Sequence, residues 1–289
     1  MYKATLIGFS AILMWGALAL FTAATAGIPP FQLLAMTFAI AFALGLAQWA
    51  RAGQNPLRRL ALPVPVWLLG VGGLFGYHFF YFLALKNAPV VDASLIAFLW
   101  PLLIVIFSAL LPGEQLRWHH LAGAVMGLAG SVVLILRDGG IAFDSRYSIG
   151  YLAAAACALT WSGYSVLSRR FGHIPTDAVG GFCAATAILA TLCHVIFEVT
   201  VMPSGTGQWL AILVLGLGPV GLAFFTWDYG VKKGNIRVLG AASYCAPLLS
   251  TLLLVAFGAS ELTWRISIAC LLIVAGAVLA AKDMLRRQK

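Results

Sequence analysis

Three tryptophans lie where a membrane-spanning sequence normally carries aliphatic residues. Trp15, Trp100 and Trp161 each fall near the middle of a long apolar run, whereas tryptophan in membrane proteins concentrates at the water interface. A large ring at such a position either fills a gap between helices or offers a stacking surface beside a cavity. Trp161 follows Trp15 by 146 residues, so two of the three occupy matched positions. This pairing favours a shared role in binding a ligand.

A second group of polar aromatic residues lies in two of the apolar runs. Tyr77 and Tyr81 are four residues apart and share a helix face, as do Trp161 and Tyr164, which are three apart. His78 is the only histidine near the centre of a run. An ionisable group at that depth is a functional candidate, and the alternative is a neutral histidine that hydrogen-bonds between helices.

Two prolines interrupt matched runs. Pro101 and Pro247 are 146 residues apart, each in mid-run. Proline removes one backbone donor and frees the carbonyl four residues earlier, which belongs to Ala97 or Ser243. In lipid such breaks are tolerated beside a cavity or a neighbouring helix, and matched breaks often mark a transport site; the alternative is a packing kink. Ser243 and its neighbour Tyr244 therefore join the predicted site.

The predicted site is aromatic and neutral, because no Asp, Glu, Lys or Arg lies near the middle of a run. It suits a zwitterion with an apolar or aromatic side chain, held by stacking, hydrogen bonds and cation–π contact with the ammonium. We expect no metal and no cofactor. Asp228 and Lys232, four residues apart, are predicted to pair at the membrane interface. The predicted substrate-binding residues are Trp15, Tyr77, His78, Tyr81, Trp100, Pro101, Trp161, Tyr164, Ser243, Tyr244 and Pro247.

The composition requires lipid as the solvent for these runs. Of the 289 residues 62% are hydrophobic and 9% charged, against about 25% charged residues in soluble domains. Crossing the hydrocarbon takes about 20 apolar residues in a helix, and helices satisfy their own backbone there. The sequence therefore predicts an all-α integral membrane protein with ten transmembrane helices, near 5–25, 30–50, 64–86, 90–111, 117–136, 148–170, 176–198, 207–230, 236–257 and 264–282.

The cations predict the orientation. Lys86, Arg137, Arg146 and Arg265 fall outside if the N-terminus is cytoplasmic, and the other 14 of the 18 Lys and Arg residues fall inside. The positive-inside rule thus favours ten spans with both termini in the cytoplasm. The net charge of +9 reflects cytoplasmic loops, so we expect the lipid bilayer and no nucleic acid as partner.

The 146-residue offset predicts two domains of five spans each. Because five is odd, the second repeat must enter the membrane in the opposite sense, which makes the repeats inverted. The predicted boundaries are 1–138 for the first repeat, 139–147 for a periplasmic linker and 148–289 for the second repeat.

Small residues and loop histidines complete the sequence-based predictions. Gly123 with Gly127, and Ala277 with Ala281, form stripes that let helices approach closely. The stripes could pack against each other within one chain or form a dimer. We expect them to pack within one chain, which then functions as a monomer. The pair His119-His120 is predicted to be a solvated flank of the fifth span.

Several short motifs carry a family resemblance: Lys3-Ala4-Thr5-Leu6-Ile7-Gly8, Leu99-Trp100-Pro101, and Ala241-Ala242-Ser243-Tyr244 continuing to Pro247 and Ser250-Thr251-Leu252-Leu253. With these motifs the whole chain resembles the drug/metabolite transporter superfamily, and each half resembles one EamA-type domain. It implies a basket-shaped fold of ten helices around a large central cavity. It also implies export of amino acids, notably aromatic ones, from the bacterial cytoplasm across the inner membrane. Small multidrug-resistance relatives use a glutamate in the first span, where this chain has Trp15.

Two alternatives stay open at this stage. Within transport, the chain could export drugs, sugars or other small metabolites instead of amino acids. Outside transport, an intramembrane enzyme would need a nucleophile and base, or a set of metal ligands, at one depth. One central histidine and scattered cysteines argue against the enzyme.

Overall fold

The computed structural model describes residues 1–136, 144–258 and 261–286. None of these residues lies in a β-strand, so the all-α prediction is confirmed for this part of the chain. Residues 137–143 lie outside the described residues, and they include the first part of the predicted linker, 139–143. The long helical segments are α1 (Tyr2–Ala23), α2 (Pro30–Arg51), α3 (Val64–Asn87), α4 (Val90–Leu110), α5 (Trp118–Ile135), α6 (Ser148–Leu167), α7 (Thr176–Phe197), α8 (Thr206–Lys233), α9 (Ile236–Ala256) and α10 (Trp264–Ala280).

Eight of the described segments are long and apolar enough to cross a membrane. The other two are α6, with 20 residues, and α10, with 17. Trp161, Tyr164 and Ser165 make α6 less apolar, and the first two are side chains of the predicted site. The chain is therefore a multi-pass membrane protein.

Two of the segments contain a π-helical turn at matched positions. Gly72–Gly76 forms one in α3, and Gly218–Leu222 forms the other in α8, 146 residues further along. A π turn widens the helix, changes the direction of its axis and often lies at a functional site. The packing of the helices follows the same offset, by which α6 corresponds to α1 and α8 corresponds to α3. Helix α1 packs on α8, and α6 packs on α3.

The two proline-containing segments are each broken into two helices. In α4 the helix stops at Ala97 and restarts at Trp100, so that Pro101 lies in the new first turn, where proline is well tolerated. In α9 the break falls at Ser243 and Tyr244, and the helix restarts at Cys245. The carbonyl of Ser243 accepts the amide of Ala246 at 3.1 Å, so it is paired within the chain.

Two pairs of helices, α5 with α10 and α2 with α7, are joined by close contacts. A side chain on Gly123 of α5 would overlap the carbonyl oxygen of Gly276 in α10, which confirms that this stripe packs within one chain. The contact between α2 and α7 includes hydrogen bonds. Glu198 follows α7 and accepts the backbone amides of Phe31 and Gln32 at 2.9 and 3.0 Å, so its carboxylate caps the N-terminus of α2.

Candidate functional site

Four tryptophans from four different helical segments meet inside the bundle. Trp15 (α1), Trp100 (α4), Trp161 (α6) and Trp227 (α8) have ring centroids between 5.1 and 6.3 Å apart in every pair. Trp100 presents its edge to the other three at 88° to 89°, while Trp161 and Trp227 stack at 21°. Edge-to-face and offset stacking are the geometries that aromatic rings prefer. We call these four residues the tryptophan cluster.

Hydrogen bonds fix two of these rings. The Trp15 indole nitrogen donates to the carbonyl oxygen of Pro219 at 3.0 Å, within the π turn of α8. The Trp227 indole nitrogen donates to the Ser165 hydroxyl at 3.0 Å. Buried indole nitrogens need such partners, and both acceptors lie in the second half of the chain.

Trp227 and Phe224 were not among the predicted site residues. Trp227 is fully buried, and Phe224 contacts Trp15 and Trp161 at 6.2 and 5.6 Å. A sequence signal existed for Trp227, because it stands 146 residues after Tyr81. Phe224 carries the same signal, because it stands 146 residues after the predicted site residue His78.

The tyrosines of α3 extend the aromatic surface. Tyr77 and Tyr81 stack at 4° with centroids 6.2 Å apart, and Tyr77 lies 5.5 Å from Trp161. Tyr164 contacts Trp161 from the other side at 5.3 Å. The structure therefore brings these predicted residues together around one ring of the tryptophan cluster.

His78 borders the cluster without entering it. Its Nδ1 lies 2.7 Å from the carbonyl oxygen of Leu74, and a carbonyl only accepts, so Nδ1 carries the proton. The ring is enclosed by Phe38, Phe82 and Phe224 at 5.4 to 6.3 Å. In its neutral form His78 has Nε2 as an acceptor.

The predicted residues of the second break lie apart from the tryptophan cluster. Tyr244 packs with Leu248 and Ile273 in a separate apolar cluster, and its hydroxyl accepts the amide of Leu102 at 3.2 Å. Ser243 is fully buried and donates to Leu239 at 2.7 Å.

The two prolines take different places at the breaks. Pro101 is buried, with its carbonyl next to Gly240 of α9, and Pro247 is partly buried. The break residues thus join α4 to α9.

Asp228 and Lys232 form the predicted ion pair, and both side chains are buried in the protein. Lys232 Nζ lies 2.9 Å from Asp228 Oδ2, and the side chains are 5% and 1% exposed. Asp228 directly follows Trp227, and Tyr164 reaches its Oδ1 at 3.5 Å. A cavity of about 10 Å³ lies beside the pair.

One group of described residues has the spacing of a metal site. Ligand atoms of His119, His120 and Asp283 lie within 4.8 Å of one another. Arg117 already pairs with Asp283 at 2.9 Å, and its amide donates to His120 Nδ1 at 3.1 Å. Both histidines are buried, so the prediction of a solvated flank was wrong: this contact joins the start of α5 to the helix Lys282–Arg286.

A multi-helix membrane bundle with matched helix breaks and a buried aromatic cluster between its halves defines a membrane transporter. The EamA-like transporter family matches residues 2–136 and 148–282, and the chain belongs to this family. It is a transporter and not an enzyme, so the intramembrane-enzyme alternative is set aside.

Named relatives and a solved structure support this assignment. The chain is 59% identical over 279 residues to the aromatic amino acid exporter YddG of Ancylobacter novellus, with 96% of each chain covered. It is 22% identical to the aromatic amino acid exporter YddG of Escherichia coli K12, again with 96% of each chain covered. A crystal structure with 56% identity superposes with a TM-score of 0.94 over the whole of both chains.

Proposed function

We propose that this protein exports aromatic and other neutral amino acids from the bacterial cytoplasm across the inner membrane. The observation that carries the proposal is the tryptophan cluster, to which both halves of the chain contribute. Its rings offer stacking partners worth about 0.5–1.5 kcal/mol each beyond buried area. They also offer faces for an ammonium group. The relative with 59% identity is named an aromatic amino acid exporter, which supports the same substrate class.

The proposed mechanism is alternating access between two inverted repeats. Residues 1–138 and 148–289 would each supply five spans, with both termini in the cytoplasm and a periplasmic linker at 139–147. Two observations support this symmetry. The π turns in α3 and α8 lie at matched positions, and the first helix of each half packs on the third helix of the other half, α1 on α8 and α6 on α3. The chain would work as a monomer. In the described conformation Trp161 and Trp100 are 3% and 6% exposed, so the rings must separate to admit substrate.

The proposed site comprises the tryptophan cluster with Tyr77, Tyr81 and Tyr164. His78 and Pro101 line its edges. Ser243, Tyr244 and Pro247 would act on substrate indirectly, by shaping the break of α9 against α4 next to the site.

Transport in proteoliposomes tests the function. Proteoliposomes that contain the purified protein are loaded with labelled solutes. The panel comprises aromatic, aliphatic and charged amino acids, a sugar and a lipophilic cation. We expect exchange of phenylalanine, tryptophan and tyrosine and little movement of charged amino acids. Trp161→Phe keeps an aromatic ring with less area and should weaken exchange by about 1 kcal/mol. Movement of the sugar or the cation alone would favour the drug and metabolite alternative.

A further inference from the structure

The Asp228–Lys232 pair lies in an unusual place for a structural ion pair. Both side chains are almost completely buried, next to a cluster of apolar rings. Removing two charges from water is expensive, and a buried pair is often no more stabilising than apolar residues of the same volume. Charged groups within membrane segments are therefore functional candidates.

The carboxylate of Asp228 is held unevenly. Its Oδ2 accepts hydrogen bonds from Thr176 at 2.8 Å and from Lys232 at 2.9 Å. Its Oδ1 has a long contact of 3.5 Å with the Tyr164 hydroxyl. Lys232 also donates to the carbonyl of Ile174 at 3.2 Å. One oxygen of Asp228 is thus firmly held, and the other faces Tyr164 with capacity to accept a stronger donor.

Both charges line the same small cavity. Its volume of about 10 Å³ is close to the minimum for one water, and its walls include Tyr164, Phe171 and Phe182. Tyr164 lies between this cavity and Trp161, with its ring 5.3 Å from the indole. Displacement of one side chain, Tyr164, would therefore join the charged cavity to the tryptophan cluster.

We propose that Asp228 and Lys232 form a subsite for the head group of a zwitterionic amino acid, an inference that rests on the proposed function. The substrate ammonium takes the place of Lys232 on Asp228, and the substrate carboxylate pairs with Lys232. The side chain of the substrate then lies on the ring of Trp161. One internal ion pair becomes two intermolecular pairs, so no buried charge is left without a partner.

This exchange selects for substrates that carry both charges. An amine without a carboxylate would leave Lys232 unpaired in a buried site, and an acid without an ammonium would leave Asp228 unpaired. An unpaired buried charge is strongly destabilising. The subsite therefore explains how an aromatic site with neutral rings distinguishes an amino acid from other aromatic molecules.

Equilibrium binding to the purified, detergent-solubilised chain tests the subsite with three ligands of one shape. These are L-phenylalanine, phenethylamine, which lacks the carboxylate, and 3-phenylpropionate, which lacks the ammonium. Wild type should bind L-phenylalanine at least ~10-fold more tightly than either analogue, the scale of one hydrogen bond to a charged group. Asp228→Asn should lower the affinity for phenylalanine by ~10-fold or more and leave the affinity for 3-phenylpropionate unchanged. Lys232→Gln should lower the affinity for phenylalanine equally and leave the affinity for phenethylamine unchanged.

Two variants keep the test decisive. Lys233→Gln is the matched control, because the neighbouring Lys233 is exposed and donates to the carbonyl of Gly172; it should bind all three ligands as wild type does. The exchange Asp228→Lys with Lys232→Asp retains a pair if the single variants fold poorly, and it should restore the preference for the zwitterion.

The possible results separate this inference from the proposed function. If stable Asp228→Asn and Lys232→Gln proteins lose affinity for all three ligands equally, the subsite is overturned and the pair has a structural role. Unchanged ligand preference in these variants, with normal phenylalanine transport by wild type, would also overturn the subsite alone. Wild type that neither binds nor transports an amino acid would overturn both proposals.

Discussion

The indole nitrogen of Trp15 donates a hydrogen bond to the carbonyl oxygen of Pro219, 3.0 Å away. Pro219 lies in the π turn Gly218–Leu222, where the wider helix disturbs the regular backbone ladder and leaves a carbonyl open to an outside donor. This bond fixes the Trp15 ring against Trp161 and ties α1 to the irregular turn of α8. The irregularity of one helix thereby orients the aromatic side chain of another.

Replacing Trp15 with phenylalanine tests that hydrogen bond. Trp15→Phe keeps a smaller aromatic ring and removes the donor to Pro219. We expect phenylalanine exchange in proteoliposomes to weaken by about 1–2 kcal/mol, the cost of one buried polar group that loses its partner. Trp209→Phe is the control, because Trp209 is 46% exposed on the outer surface of α8. Equal exchange by the two variants would show that the bond is dispensable.

The paired prolines are expected to matter for movement more than for stability. Pro101→Ala and Pro247→Ala each restore a backbone donor and remove the constraint that starts a new helix. We expect slower transport with an unchanged or higher melting temperature, since the breaks allow the half-helices to move. Pro63→Ala, at an exposed position before α3, serves as control. If the double variant transports at the wild-type rate, the breaks have no part in the cycle.

His78 is expected to act through hydrogen bonds and not as a carrier of coupling protons. It donates to Leu74 at 2.7 Å among phenylalanine rings. His78→Gln keeps a donor and should retain much of the exchange activity, with transport following the substrate gradient alone. The measurement is phenylalanine flux with and without an imposed pH gradient, with the exposed His173→Gln as control. Uphill transport driven by that gradient in wild type, and lost in His78→Gln, would reverse this assignment.

Glu198 should contribute to stability through the N-terminus of α2. Its carboxylate accepts two backbone amides and lies 2.9 Å from His194 Nδ1. Glu198→Ala leaves those amides without their partner, which costs about 1–2 kcal/mol for a helix cap. Thermal unfolding in detergent should show a lower melting temperature, and Glu261→Ala, at an exposed position, should not. Equal melting temperatures would mean that water replaces the carboxylate.

Reporter fusions test the proposed orientation. The proposed orientation puts 14 of the 18 Lys and Arg residues on the cytoplasmic side, so fusions after Arg59 and after Lys289 should report the cytoplasm. A fusion within 139–147 should report the periplasm. A periplasmic signal at the C-terminus would contradict the inverted repeats, because an even number of spans must return the chain to its starting side.

The sequence by itself determined the solvent, the secondary structure and the duplication. Apolar runs of about 20 residues have no stable alternative to helices in lipid, so the segments follow from composition. The 146-residue offset marked Trp15 with Trp161 as matched positions, and the prolines marked the broken segments. These properties depend on the local amino-acid composition, or on a comparison of one half of the sequence with the other.

The tertiary structure decided which faces of the helices meet. In water the apolar face of a helix marks its buried side, but in lipid both faces are apolar and the pattern loses this information. The sequence therefore missed Phe224 and the role of Trp227. It also placed His119 and His120 in solvent, whereas both are buried. Only packing between segments far apart in the chain brings Thr176 and Tyr164 to the Asp228 carboxylate, and no local signal encodes those two contacts.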